Sequence, residues 1–217
     1  MTIVNGYTDA ATLKAWLNVT DIADDAKIDL AINAASRWID TYCNRKFWLD
    51  ATPTVRTFLP QSLMRCKLTD DTGWRHDLGS TTGLVVKTDA GGDGVYETTW
   101  LASDYQLLPQ NAASMFPEAK PWNELRAVGS KTFPWLVNTW LTHLDRVQVT
   151  GLFGWPAVPN AVTQACVIEA ARIFRRRNSA DGLAGNADFG VIRVSIKTDP
   201  EVADLLTPYQ AMPVLVA

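Results

Sequence analysis

The sequence predicts an α+β fold: a helical bundle, built from an N-terminal helix pair and a long C-terminal helix, that carries a large β-rich insertion. Three observations predict it. Ile28, Ala31, Ile32, Ala35, Trp38, Ile39, Tyr42 and Cys43 recur at spacings of three and four, the stripe of an amphipathic helix. From Phe47 to Gly151 that period disappears and short alternating runs replace it. Val162, Ala165, Cys166, Ala170, Ile173 and Phe174 then restore the helical period. The organisation implied is a helical core of residues 1–47 and 152–217 around an insertion of residues 48–151.

The elements follow in chain order. Thr8 reads as an N-cap with Asp9 in the first turn, and Leu13, Trp16 and Leu17 make one apolar face. Asn18-Val19-Thr20 breaks that helix. Asp21 and Asp24 resemble a weak capping box for the second helix, whose polar face would carry Lys27, Asp29, Asn33, Ser36 and Asp40. Asn44, Arg45 and Lys46 suit its C-terminus. In the middle, Val55–Leu59 alternates. Leu84–Thr88 and Val95–Trp100 flank the turn-forming run Asp89–Gly94 and read as a hairpin. Asp104–Leu108, Leu125–Val128 and Arg146–Gly151 are further strands, and residues 109–123, with three prolines, form a loop. The last long helix runs from about Asn160 to about Arg177 and is apolar around most of its girth. Glu169 falls inside that stripe, so it needs a partner: Arg172, Arg176 or Arg37. Ser179–Gly190, with three glycines, reads as a mobile loop, Val191–Ile196 as a strand, and Asp199-Pro200-Glu201 as the start of a short helix.

Composition narrows the function classes. The chain has 217 residues, 47% of them hydrophobic, which is enough for a real core. Net charge is −3 and the isoelectric point about 5.4, so the molecule as a whole does not attract nucleic acid. Cys43, Cys66 and Cys166 are scattered, as free thiols in a reducing compartment would be. No apolar run approaches the roughly 18 residues that span a bilayer, and the first residues lack the pattern of a signal peptide. No membrane partner is expected. Nine tryptophans are unusual; about six are expected in the core and the rest at contacts between molecules.

Catalytic chemistry is hard to find. His76 and His143 lie far apart, and neither has a second ligand at metal spacing. No nucleophile elbow, phosphate-binding loop or dinucleotide fingerprint occurs. Asp89, Asp93 and Gly94 mimic part of a calcium loop, but Trp100 stands where a bidentate Glu belongs, so a hairpin turn is the better reading. The expectation is therefore no enzyme, no catalytic residues, no metal and no cofactor. Arg172, Arg175, Arg176 and Arg177 form the basic cluster of the chain, suited to a helix end or to an electrostatic contact with an acidic neighbour or DNA phosphates. Val214-Leu215-Val216 is an apolar tail suited to packing on its own domain or to docking in a partner.

The order of several short motifs resembles the head–tail connector (adaptor, or head-completion) proteins of tailed bacteriophages. They are Leu13-Lys14-Ala15-Trp16-Leu17, Asp24-Asp25, Ala34–Asp40, Tyr42–Phe47, Gly154-Trp155-Pro156, the helix from Ala165 to Arg177, and Asp188-Phe189-Gly190 leading into Val191–Val194. The resemblance implies a structural virion protein forming a ring, typically of twelve copies, beneath the portal at one capsid vertex. Such a ring extends the DNA channel and joins the capsid to the next connector, stopper or tail component. Implied partners are further copies of the chain, the portal, that next component, and double-stranded DNA passing through the lumen without sequence specificity. Implied locations are the virion head–tail interface and, during assembly, the host cytoplasm. The resemblance also makes Val202, Leu205, Leu206, Tyr209, Val214, Leu215 and Val216 the candidate portal contact. Gly182, Gly185, Asp188, Phe189 and Gly190 become a candidate loop that orders on assembly. Two other readings remain: a Trp-rich β module that stacks sugars, revealed if Trp74, Trp100 and Trp122 share an exposed face, and another ring-forming tail-completion protein.

Overall fold

The computed structural model describes residues 2–135, 145–176, 183–186, 190–193 and 199–211. The chain is α+β, with helices and antiparallel sheets. It divides into two compact units, Met1–Cys43 with Val158–Gln210, and Asn44–Ala157 with the chain end.

The first unit is helical. Helix α1 (Ala10–Leu17) is capped by Asp9, whose carboxylate accepts from the Thr12 N–H at 2.8 Å. Thr8, the cap expected from sequence, is buried instead. Asn18 ends the helix in the left-handed conformation, which Asn tolerates better than most residues. Helix α2 (Asp25–Cys43) buries Ile28, Ala31, Ile32, Ala35, Ile39 and Cys43 as its spacing predicts. Ser36 and Asp40 belong to the buried side too, contrary to the sequence reading. The reason is the N-terminal arm, residues 2–8, which runs along α2 and satisfies its polar groups. Val4 N–H donates to Asn33 Oδ1 at 2.9 Å, Tyr7 N–H to Ser36 Oγ at 3.1 Å, and Arg37 Nη2 to the Asn5 carbonyl at 2.9 Å. Gly6 permits the close approach: a Cβ there would lie 3.1 Å from Ile32 Cγ2 on α2 and 2.4 Å from Ile3 Cγ2 of the arm itself.

Helix α3 (Asn160–Arg176) packs on α2, where Ser36 Oγ and Cys166 Sγ lie 3.5 Å apart. Glu169 is buried inside its stripe and pairs with Arg172 at 2.8 Å, one of the partners its position demands. A hairpin follows, β8 (Leu183–Asn186) against β9 (Gly190–Arg193). Part of the expected mobile loop is therefore strand. Helix α4 (Pro200–Leu206), capped by Asp199, packs on α3 and leads into a 3₁₀ turn, Thr207–Tyr209.

The second unit is built on two antiparallel sheets. The larger has the order β1-β7-β3-β4, from β1 (Thr54–Phe58), β7 (Val147–Phe153), β3 (Leu78–Thr88) and β4 (Thr98–Trp100). The smaller has the order β2-β6-β5, from β2 (Arg65–Lys67), β6 (Glu124–Ala127) and β5 (Tyr105–Leu108). The predicted hairpin is the β3–β4 pair, in register Val86↔Trp100. Strand β7 alternates strictly, burying Val147, Val149, Gly151 and Phe153, as a one-faced strand should. Strand β2 carries no apolar alternation beyond Cys66 and was invisible in the sequence. Phe58, Leu78, Val86 and Phe153 from one sheet and Cys66 and Leu125 from the other share one core. Each large side chain fully buried there contributes about 1.5–3 kcal/mol.

Candidate functional site

The sequence-predicted site residues fall on three places. At the first, α4 buries Val202 and Leu206 completely. They are core residues of the helical unit, anchored by the same face that packs on α3, and are not free to meet a partner. Leu205 and Tyr209 are half-buried and keep an accessible edge. Val214, Leu215 and Val216 lie outside the described residues.

At the second, the end of α3, Arg172 is engaged with Glu169, while Arg175 and Arg176 are exposed. Arg177 lies outside the described residues. Cations at that position complement the partial negative charge of the helix end. At the third, Gly185 sits in β8 and Gly190 opens β9, while Gly182, Asp188 and Phe189 lie outside the described residues.

The turn between β3 and β4 is organised by Asp89 and Arg146. The Asp89 carboxylate accepts from the N–H groups of Gly92 and Gly94, and burial alone would raise its pKa. Those N–H donors, with the Arg146 guanidinium, outweigh burial and hold it below the ordinary carboxylate value. Carboxylate oxygens of Asp89, Asp93 and Glu97 lie within 4.8 Å of one another, a spacing that could hold a cation. The fully buried Arg146 already brings a positive charge to this turn: a Cβ on Gly92 would lie 2.2 Å from both its terminal nitrogens. The arrangement is that of a hairpin closed by an arginine.

A second polar cluster stands where Asn44–Phe47 meets Gly154-Trp155. The chain passes between its two units at 43/44 and again at 157/158. Asp77 accepts from Trp155 Nε1 at 3.2 Å and lies 3.3 Å from Arg45 Nε, while its carbonyl accepts from Gly154 N–H at 2.7 Å. Burial pushes the Asp77 carboxyl up to about 6, and Arg45 and Arg75 oppose the rise. Phe47 and Trp155 pack with ring centroids 5.3 Å apart. Gly154 has φ 123°, and a Cβ on it would lie 1.9 Å from the Trp48 carbonyl oxygen. The Gly-Trp-Pro turn read in the sequence is thus a packing device. Nothing in that motif foretold its partner Asp77.

The thiols are inert core residues. Cys43, Cys66 and Cys166 are buried, burial raises the pKa of Cys66, and it pushes that of Cys166 up to about 11. The tryptophans divide differently from what a sugar platform needs. Trp100 is buried and stacked on Phe133 with centroids 4.7 Å apart, and Trp122 packs against the core. On the helical unit, by contrast, Trp16 (52% exposed), Ile22 (81%) and Leu30 (54%) stand in solvent. They lie in the last turn of α1, the α1–α2 connection and α2. The sequence reading put Trp16 on the apolar face of α1 with Leu13 and Leu17, but α1 buries only Leu13; Leu30 lies off the main stripe of α2.

Comparison with known proteins adds two findings. Residues 8–74 match the profile of the phage gp6-like head–tail connector protein family. The fold over 100% of the chain is similar to that of a chain in the neck of an empty gene transfer agent (GTA) particle computed with C6 symmetry, with TM-score 0.56 and 19% identity over 96% of that chain. It is similar in the same way to a chain in the virion of the native GTA particle (TM-score 0.54, 19% identity, 96% of that chain). A third match is to the neck of the native particle computed with C12 symmetry (TM-score 0.51, 18% identity, 96% of that chain). Among curated proteins, none matches the sequence. The resemblance to phage head–tail connectors thus stands in the sequence of residues 8–74, and the fold of the whole chain is similar to that of chains in gene transfer agent particles.

Proposed function

We propose that this chain is a non-enzymatic virion protein that forms a ring beneath the portal, extends the DNA channel, and joins the capsid to the next connector or tail component. The observation that carries this reading is the conjunction of the gp6-like match over residues 8–74 with a fold likeness, over the whole chain, to chains of GTA necks. The C6 and C12 symmetries of those necks support a ring of repeated copies, with twelve as the expected number. A ring needs a heterologous contact that closes by rotation. Trp16, Ile22 and Leu30 are exposed apolar side chains of the helical unit, of the kind a neighbouring copy would cover.

The portal contact is then carried by Leu205, Tyr209 and the tail 214–216, with Val202 and Leu206 holding α4 in place behind them. The role is mechanical: subunits close a ring, and DNA passes without base readout. The sugar-binding alternative loses its platform, since Trp100 and Trp122 serve the core.

Native mass spectrometry across a concentration series, with and without portal protein, tests the reading. A closed oligomer near twelve, or assembly that depends on portal, is expected. A strict monomer at every concentration that ignores portal overturns it.

A further inference from the structure

We propose that the outer face of the small sheet β2-β6-β5 is a contact surface for the phosphate backbone of double-stranded DNA. The register fixes which side chains share that face. Cys66, Leu125 and Leu107 lie opposite one another, with Cys66 and Leu125 fully buried in the core. Their neighbours along each strand must therefore point away from it. Arg65, Arg126 and the half-buried Gln106 form one row on that side, and Lys67, the buried Glu124 and the half-buried Leu108 form the next. Arg65, Lys67 and Arg126 are exposed.

Three cations thus face one carboxylate, in a chain whose acids outnumber its bases, 23 to 20. Glu124 is already taken: Arg65 grips it through Nε and, at 3.0 Å, through Nη2. Lys67 and Arg126 have no ion-pair partner among the described residues. Arg65 and Arg126 sit directly opposite, and since Glu124 is committed to Arg65, Arg126 and Lys67 are the cations of this face open to an anionic ligand.

The chemistry favours nucleic acid over an acidic protein. Besides Glu124, which Arg65 occupies, and Leu108, the two rows hold long cationic side chains and Gln106, and no aromatic anchor of the kind that carries protein interfaces. The face presents neither a helix nor a two-stranded ribbon to enter a groove, so it contacts phosphates and reads no bases. Repetition around a ring would multiply a weak contact into an appreciable one. The inference uses the connector reading only to bring DNA to this face. The contact is distinct from the arginines at the end of α3.

The test is fluorescence anisotropy of the full chain with a labelled duplex of random sequence, between about 50 and about 200 mM salt. Lys67→Glu with Arg126→Glu should weaken binding at least about tenfold and lower the salt slope by about 2. Lys67→Gln with Arg126→Gln, a milder pair, should do so in the same direction with an unchanged melting temperature. Wild-type affinity in the Gln pair overturns the proposal and hands the face to an acidic protein. Loss of binding in Arg175→Ala with Arg176→Ala, but not in the sheet variants, overturns it in favour of α3. Native mass spectrometry of the same samples separates the two readings. A ring that ignores duplex at low salt removes the phosphate face and leaves the connector; a monomer whose duplex binding the sheet variants abolish does the reverse.

Discussion

Tyr7 donates its phenolic hydroxyl to the carboxylate of Asp40, 33 residues further along the chain and buried on α2. Asp40 also holds Arg37 at 2.9 Å, and the backbone N–H of Tyr7 is received by Ser36. Asn33, Ser36, Arg37 and Asp40 recur at helical spacing and form a polar seam that holds the N-terminal arm on α2. The arm adds a partner to each of these groups beyond those that α2 supplies, so the arm is structural.

Tyr7→Phe leaves the Asp40 carboxylate buried with one donor fewer. It should cost about 1–3 kcal/mol, read as a lowered urea midpoint with unchanged slope. A variant as stable as wild type would mean that the arm is not fastened through this bond.

Gly154→Ala tests the turn beside Asp77. The φ of 123° and the 1.9 Å approach to the Trp48 carbonyl leave no room for a methyl group. The loss should be at least about 3 kcal/mol, since backbone strain and overpacking add. By contrast Gly94→Ala, where φ is also positive but a Cβ meets nothing within 4 Å, should cost only about 1 kcal/mol. Thermal melts of both variants check the contrast; equal losses would mean that close packing at Gly154 is not the cause.

The division between what the sequence discloses and what it hides follows from range. Helices α2 and α3 and strand β7 are legible because each carries its own period, and the β3–β4 hairpin because Gly and Asp mark its turn. Apart from Glu169, whose place in the stripe of α3 already demands a partner, the buried polar residues are not. Ser36 and Asp40 read as solvent-facing until the arm covers them, and Arg146 reads as a strand-start cation until it fills the turn at Gly92. Strand β2 is three residues long and gains its identity only from pairing with β6. The basic face escapes for the same reason: Arg65 and Arg126 are 61 positions apart and meet only through register. Val202 and Leu206 show the converse error, in which an apolar face suited to a partner is used at home by α3.

The exposed apolar surface of the helical unit gives a prediction about assembly. Leu30→Glu places a charge on a half-exposed position of α2, so the subunit should keep its fold and melt within about 0.5 kcal/mol of wild type. Ring formation should fall at least about tenfold in association, because burying an unpaired carboxylate in a subunit contact is costly. Sedimentation velocity across concentrations checks it. Wild-type assembly by Leu30→Glu would exclude this surface from the ring contact.

The final prediction concerns acid. His76 packs near Phe58 and Phe153, with Arg56 against its Nδ1 and Asp70 Oδ2 3.0 Å from Nε2. Burial, with Arg56 and Lys46, pulls its pKa below the ordinary value, against the opposing pull of Asp70. A neutral ring that accepts from Arg56 and donates to Asp70 fits both contacts. As pH falls below about 6.5 the unfolded chain binds a proton that folded His76 refuses, so this group's stabilisation is lost toward acid. Asp77 acts in the opposite sense. Its folded pKa of about 6 lies above the unfolded value of about 3.9, so its contribution is fully present below the lower value and is lost as pH rises through the upper one. The two slopes oppose each other in mild acid. Asp77→Asn should therefore make stability fall more steeply than wild type between about pH 6 and pH 4, whereas His76→Gln should flatten or reverse the fall. Urea midpoints measured across that window decide it. Profiles parallel to wild type in both variants would show that neither group controls the acid limb.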